Sequence, residues 1–322
     1  MISSRREWAE NKQERGKSNL PFFISRSMFN RMSQMTIFEI INRIADRLRD
    51  SVDKPRSLAR DLVGKYLNLA PNDLIAIDRR QAFPSEAEDA IWQDVERIVA
   101  REPHAYVLGE TYFYGLPFKI GPGVLIPRPD TEVLVEEAVA YAEANPVKRI
   151  LELCLGSACI SIAVLDALRG AKSMPTAVGT EISELAIGFA EMNRKLHGFE
   201  EQLDIVQTDL FPESGQLFDM LMSNPPYIDA ADMRTLDESV MDHEPHLALS
   251  GGDDGLDFYR RIYSQAPAYL TPGAVLICEH GYAQRDAITA IIQETGYYEQ
   301  IRYRDDYAGR ARVVLCRYKN QE

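Results

Sequence analysis

Phe218-Asp219-Met220-Leu221-Met222-Ser223 runs straight into Asn224-Pro225-Pro226-Tyr227. The first part is a short apolar run that reads as a buried strand. The two prolines then fix φ and remove two backbone donors, so the chain cannot continue in a sheet ladder. Pro225 also biases Asn224 away from helix. What remains is a rigid bend at a strand end, carrying one planar amide and one aromatic ring. Such a bend grips a flat, neutral, polar group: an amide nitrogen or an exocyclic amine. Its plainer reading is a strand-ending turn.

From Arg149 onward the chain alternates strands with helices, and the bend falls within that pattern. Ile150-Leu151-Glu152-Leu153 reads as the first strand, Ala177-Val178-Gly179-Thr180 as the second, Leu203-Asp204-Ile205-Val206 as the third and Phe218 to Ser223 as the fourth. Ala274-Val275-Leu276-Ile277-Cys278, Tyr298 to Tyr303 and Arg312-Val313-Val314-Leu315-Cys316 follow. The spacing predicts helices through Ile160–Leu168, from near Ser183 to His197, and around Asp257–Tyr269 and Arg285–Glu294. Alternation of this kind implies a doubly wound, mostly parallel sheet. The last two strands have only a turn-like link, so they pair as a hairpin and put one antiparallel strand in the sheet. No internal repeat is present.

Upstream, residues 1–34 are polar, with no sustained apolar period, and read as a flexible extension. Ile37, Ile40, Ile41, Ile44 and Leu48 recur at helical spacing. A second stripe starts at Ser57, and a third helix follows Ser85-x-x-Glu88, which reads as a capping box. These stripes make residues 35–110 a small helical domain that presents a surface to a large substrate. Tyr112 to Ile120 reads as an aromatic hairpin, giving a linking segment over 111–125. Residues 126–322 form the catalytic domain. At its start, Ile126-Pro127-Arg128-Pro129-Asp130-Thr131-Glu132 leads into a helix that Asp130 or Thr131 can cap. Its place before the first sheet strand suggests that it lies over whatever binds there.

Composition bounds the function. At 322 residues, 45% hydrophobic and 26% charged, the chain suits a soluble protein with one large and one small domain. No apolar run approaches the ~20 residues of a membrane span, and Met1–Lys17 lacks the apolar core of a secretory signal. A cytoplasmic, membrane-free protein is expected. Its four cysteines form no Cys-x-x-Cys pair, so no metal is expected. A net charge of -13 argues against direct, sequence-independent binding to nucleic acid.

In doubly wound sheets ligands sit beyond the carboxyl ends of the strands. Here those ends are Cys154-Leu155-Gly156-Ser157-Ala158, Glu181, Asp209-Leu210 and the Asn224 bend. A small-residue turn opening a helix lets backbone amides approach a ligand. Glu181 is placed to accept from both hydroxyls of a ribose, its plainer reading being a charge at the N-terminus of the helix from Ser183. Asp209 can receive an exocyclic amine and Leu210 can pack on an adenine face. Acidic strand ends disfavour a polyphosphate, so the expected cofactor is a nucleoside without phosphates.

This order of turn, acidic strand end, aspartate and Asn-Pro-Pro-Tyr resembles the class I S-adenosylmethionine-dependent methyltransferases. Arg101-Glu102-Pro103, the hairpin, residues 126–132, Glu244 to Leu249, Asp254 to Arg261 and Glu279-His280-Gly281 extend the resemblance. Together they look like the protein-(glutamine-N5) methyltransferases, in the branch that acts on peptide chain release factors. The likeness runs from about Met35 to the C-terminus. It implies a Rossmann-like α/β fold with a seven-stranded mixed sheet, S-adenosyl-L-methionine as cofactor, and the glutamine of a Gly-Gly-Gln loop as methyl acceptor. It also implies roles. The Asn224 side-chain oxygen and the Pro225 carbonyl accept the two amide hydrogens, with Pro226 and Tyr227 completing the acceptor site. Cys154 to Ala158, Glu181, Asp209, Leu210 and Asn224 hold the cofactor. No general base is nominated.

The chain departs from the family pattern at the first turn. Cys154 and Ala158 stand where glycine is usual, Leu155 where threonine is common, and Glu181 where aspartate is commoner. Cys154 adds a Cβ where the methionine part of the cofactor passes. The alternatives are methylation of a ribosomal protein glutamine, methylation of a nucleic acid amine, and a non-catalytic binding protein that has lost its cofactor.

Overall fold

The computed structural model describes residues 34–69, 73–78, 80–171, 174–213 and 215–319. The expected extension over 1–34 therefore lies outside the described residues, save for Gln34.

The chain begins with a helical unit. It comprises α1 (Ile37–Arg47), α2 (Pro55–Leu67), the short α3 (Asp73–Ala76), α4 (Glu88–Val99) and α5 (His104–Leu108). The Ile37, Ile40, Ile41 and Ile44 stripe of α1 is buried against Leu58, Leu62 and Val63 of α2 and Ile91, Val95 and Ile98 of α4. Each such aliphatic side chain contributes roughly 1.5–3 kcal/mol when fully buried. The capping box is elsewhere than expected. Thr36 Oγ1 accepts from Glu39 N (3.2 Å) and Glu39 Oε2 accepts from Thr36 N (2.9 Å), closing the box at α1. Ser85 instead opens a single 3-10 turn, and α4 starts at Glu88 with no side-chain cap.

The hairpin comes next, β1 (Glu110–Phe113) with β2 (Leu116–Lys119), paired antiparallel. Its two turn residues, Tyr114 and Gly115, both have positive φ (51° and 77°), the geometry that matches the twist of the flanking strands. Phe113 and Phe118 bury their rings edge to face, with centroids 6.2 Å apart, in the core of the sheet unit. Tyr112, on the other face, is exposed.

The remaining elements are α6 (Glu132–Ala144), β3 (Arg149–Leu153), α7 (Cys159–Ala167), β4 (Thr176–Glu181), α8 (Glu184–His197), β5 (Leu203–Gln207) and β6 (Phe218–Ser223). After them come α9 (Glu238–His243), α10 (Asp257–Gln265), β7 (Leu270–Glu279), α11 (Arg285–Thr295), β8 (Tyr298–Asp305) and β9 (Ala311–Tyr318). The sheet order is β5-β4-β3-β6-β7-β9-β8. β9 runs antiparallel to both neighbours, and the other pairs are parallel. Successive side chains on a strand point to opposite faces. Thus Ile150, Met222 and Ile277 pack under α6, α7 and α8. Leu151, Leu221 and Leu276 pack under α10 and α11.

The register positions the site. Leu153 pairs with Thr180 on one side and Ser223 on the other, and Ser223 pairs with Cys278. The residues that follow these pairs, Cys154, Glu181, Asn224 and Glu279, therefore emerge side by side along one edge of the sheet.

Candidate active site

A cavity of about 280 Å³ opens at that edge. Cys154, Leu155, Gly156, Ser157, Glu181, Asp209, Leu210, Asn224 and Pro226 all line it. Ala158 is buried behind the turn as the residue preceding α7. Pro225 is buried beneath the bend. Tyr227 turns its phenol away to donate to Glu279 Oε1 (3.2 Å).

The turn after β3 passes through three left-handed residues, Cys154, Gly156 and Ala158, with φ of 58°, 57° and 65°. Gly156 is the one that suits this region. A Cβ added there meets no atom within 4 Å, so the backbone of the turn is open on that side. Cys154 is half-buried, and desolvation pushes its thiol pKa up, so it presents a neutral thiol. Leu155 fills the space over Gly179 of β4, where an added Cβ would lie 2.5 Å from Leu155 Cδ1. Ser157 is buried and its Oγ has no partner among the described residues.

Glu181 fills its plainer reading at the start of α8 and keeps acceptor capacity besides. Its Oε1 accepts from the Ile182 and Ser183 amides (2.9 Å each) at the start of α8, and its Oε2 accepts from Gly156 N (2.9 Å). A carboxylate has about four lone-pair sites, so roughly one remains for a ligand hydroxyl. Ser183 itself caps α8 by accepting from Ala186 N (3.3 Å). Asp209 lines the cavity with its Oδ2 ion-paired to Arg261 of α10 (2.9 Å), whose guanidinium also lies over the Phe258 ring, and its side chain stays 58% exposed. Leu210 is buried in the left-handed region (φ 68°).

The segment over 126–132 does overlie the cavity, and Pro127, Arg128 and Thr131 line it. Its side chains do not cap α6. Arg128 is ion-paired with buried Glu244, which also accepts from Ile126 N (3.2 Å). This ties the segment to the loop carrying Pro245 and Leu247. Asp130 pairs with Arg312 of β9 (3.1 Å). Thr131 Oγ1 accepts from Asn224 Nδ2 (3.3 Å). The Asn224 Oδ1 then has no protein partner among the described residues.

Two buried acids flank these groups. Glu152 accepts from the Ser161 amide (2.8 Å) and hydroxyl, and burial pushes its pKa up to about 8. Burial also raises Glu279, to about 7, against the hydrogen bond from Tyr227 and the charge of Arg312, and its Oε2 has no partner among the described residues. Thr131, Phe258, Arg261, Glu279 and Arg312 were not assigned to the site from sequence. The carboxyl-end rule that found Glu181 and Asn224 finds Glu279 as well when applied to β7. Arg261 carries no such signal, because its reach depends on how α10 docks.

The residues fit a nucleoside-type group. Apolar walls from Leu155, Ile160 and Leu210 face a turn of open backbone, a carboxylate with acceptor capacity to spare, and an unpartnered buried hydroxyl at Ser157. Among the described residues no cluster of His, Cys, Asp or Glu suits a metal ion.

Comparison with known proteins agrees with this geometry. Residues 39–109 match the PrmC N-terminal domain family, and residues 124–247 match the N-6 DNA Methylase family. The chain is 42% identical over 248 residues to the release factor glutamine methyltransferase of Geobacter sulfurreducens, covering 75% of this chain and 79% of that one. It is 34% identical over 290 residues to the same-named protein of Moorella thermoacetica, covering 89% of this chain and 100% of that one. Among solved structures, the hMettl16 catalytic domain bound to MAT2A 3'UTR hairpin 6 shares the fold. It superposes with a TM-score of 0.50 at 16% identity, over 65% of this chain and 77% of that one.

Proposed function

Since the chain belongs to the release factor glutamine methyltransferases, we propose the following division of work among its residues. The protein is an S-adenosyl-L-methionine-dependent protein-(glutamine-N5) methyltransferase with the class I fold. The acceptor we assign is the glutamine of the Gly-Gly-Gln loop of a peptide chain release factor.

When bound, S-adenosyl-L-methionine supplies an electrophilic methyl group on a sulfonium. The 154–158 turn, Glu181 and the Leu155, Ile160 and Leu210 walls are the residues suited to hold it. Glu181 keeps the Gly156 amide in place while offering its remaining lone pair to a ribose hydroxyl. Asp209 acts together with Arg261 at the base end of the cavity. Opposite them, Asn224 Oδ1 and the Pro225 carbonyl hold the two hydrogens of the acceptor amide. An amide nitrogen is a weak nucleophile because its lone pair is delocalised. The contribution of these acceptors is therefore orientation and preorganised polarity. Tyr227 is assigned a supporting place, its ring beside the acceptor and its hydroxyl on Glu279.

One observation carries this reading. Asn224 Nδ2 is engaged by Thr131, and its oxygen is left unpartnered on the cavity wall beside the end of β3. The test is Asn224→Ala, followed by mass analysis of a release factor incubated with enzyme and cofactor. Turnover falls by about 10²-fold or more, as when one preorganised polar contact is removed. Cofactor affinity by isothermal titration stays within several-fold. Unchanged turnover refutes the role of Asn224. Cofactor binding without methyl gain on the Gly-Gly-Gln peptide refutes the substrate, and points to a ribosomal protein glutamine or a nucleic acid amine.

Residues 35–110 and the hairpin over 111–125 are assigned to recognising the release factor, and 126–322 to catalysis. No helix among the described residues is long and apolar enough to cross a membrane. We place the enzyme in the cytoplasm, with its substrate, and assign it no direct nucleic acid partner.

A further inference from the structure

We propose that Gln284 is a positioning residue for methyl transfer: its carboxamide fixes the peptide that follows Tyr227, and with it the stance of the Tyr227 ring at the acceptor. This rests on the placing of Tyr227 beside the acceptor glutamine.

Gln284 occupies the N-cap of α11, where a short polar side chain usually binds the first turn of the helix. Its side chain makes no such bond. It turns instead to three other segments. Nε2 donates to the carbonyl of Tyr227 (2.9 Å), at the end of the bend, and to that of Gly255 (3.1 Å), in the loop before α10. Oε1 accepts from Gly281 N (2.9 Å), in the loop after β7. Two carbonyls and one N–H thus meet one group with two donors and an acceptor. Neither a carboxylate nor a thioether has that set. Gln284 is not among the residues lining the cofactor cavity, so it acts on the acceptor half of the site.

The contact with Tyr227 matters because of what is already stiff. Pro225 and Pro226 fix their own φ, so the remaining freedom of the bend lies where it ends. The peptide joining Tyr227 to Ile228 is gripped on both polar sides. Gln284 holds its oxygen, and its N–H donates to Leu249 O (2.9 Å). Packing confines it further. A Cβ added at Gly255 would collide with Tyr227 O, and one added at Gly251 would lie 2.8 Å from Tyr227 Cα. One added at Gly281 would lie 3.5 Å from Tyr227 Cδ2, so the ring stands beside the same glycine whose amide Gln284 holds. With the phenol on Glu279 (3.2 Å), the carbonyl, ring and hydroxyl of Tyr227 are each set, the first two with Gln284.

The experiment is steady-state kinetics on a release factor, with melting curves and cofactor titration alongside. The variants are Gln284→Met, Gln284→Glu, Tyr227→Ala, and Gln284→Met combined with Tyr227→Ala. Gln284→Met keeps the bulk and loses all three bonds. Its kcat falls by on the order of 10–100-fold, the scale of a misplaced group at the reacting centre. KM for the release factor stays within about threefold and cofactor Kd within about twofold, because uniform binding is untouched. Gln284→Glu keeps the length and the acceptor but, as a carboxylate, has no donor, and it loses at least as much. The double variant is no worse than the poorer single, because Gln284 acts through Tyr227. A side chain that only fills space leaves both substitutions near wild-type kcat, and that result overturns the proposal. So do losses that multiply in the double variant, or cofactor affinity and melting temperature that fall in step with kcat. Should Gln284→Met not fold, Gln284→Glu decides on the same readings. Failure of both to fold makes Gln284 a structural residue and likewise overturns the proposal. If Tyr227→Ala keeps its kcat, the reading of Tyr227 falls and this inference with it. If Tyr227→Ala is impaired while Gln284→Met is not, only the role of Gln284 falls.

Discussion

Cys154, Ala158 and Leu210 all hold positive φ, at 58°, 65° and 68°. For an L-residue that region is disfavoured by roughly 1–2 kcal/mol, and such residues cluster at functional sites. Here Cys154 and Leu210 line the cavity and Ala158 is buried just behind its turn. Cys154→Gly relieves the strain but loosens the unfolded chain by roughly 0.5–1 kcal/mol, so the two effects nearly cancel. The expected result is a melting temperature close to wild type and, on the proposed placement of the cofactor beside the 154–158 turn, a tighter cofactor Kd. An unchanged Kd by isothermal titration shows that the Cys154 Cβ obstructs nothing. The turn itself was legible, because a small-residue run after a strand predicts it. Its left-handed non-glycine positions were not, since nothing in the residue types announces them. The Asp209 ion pair with Arg261 was equally hidden. The two are far apart in sequence, and only the docking of α10 brings them together.

At the scale of elements, two contacts decide how the turn after β3 is supported. Leu155 occupies the room that Gly179 leaves on β4. Gly179→Ala therefore overpacks the sheet by about 1–3 kcal/mol, and Leu155→Ala in the same protein recovers part of that loss. Chemical denaturation of the two singles and the double measures the coupling, and strictly additive losses rule it out. Asn193 of α8 is the second support. It is fully buried, accepts from Lys119 N (2.7 Å), and donates to the carbonyls of Lys119 and Ser157 (3.0 Å each). Hairpin, helix and cofactor turn are thereby joined by one carboxamide. Asn193→Ala leaves those groups unpaired at about 1–3 kcal/mol for each buried orphan. It lowers the melting temperature and weakens the cofactor Kd together; a loss of stability with an unchanged Kd separates Asn193 from the turn. Most strands were legible to within two residues at each end, because each is a short apolar run closed by turn residues, but β7 begins at Leu270, four residues before the apolar run Ala274–Cys278. Helix starts were less so. Ser85 carries the sequence signature of a cap, but a 3-10 turn takes its place, while Thr36 and Glu39 form the box that went unread.

At the scale of the molecule, the sheet buries two acids that keep their protons unusually long. The Glu152 carboxyl has an ordinary value of 4.5 and is raised by burial to about 8. Between those values the native state holds a proton that the unfolded chain has released, so stability falls as pH rises through that window. Below it both states are protonated and the penalty is absent; above it the penalty is complete. Glu152→Gln is therefore more stable than wild type by a margin that widens from about pH 5 to about pH 8, readable from paired melting curves. A margin constant across that range shows that Glu152 is not buried as an acid. The net charge of -13 adds general repulsion in the same direction. The fold class was legible from alternation, and one antiparallel strand followed from the short link between the last two; that this strand is β9 comes from its pairing with β7. Its place inside the sheet also sets an order of assembly. β9 comes after every other strand in the sequence, yet it lies between β7 and β8, and it carries the Arg312 that faces Glu279. During synthesis the sheet therefore cannot close until residues 311–318 have cleared the ribosome, because domains fold as units and the strand that joins β7 to β8 is the last to emerge.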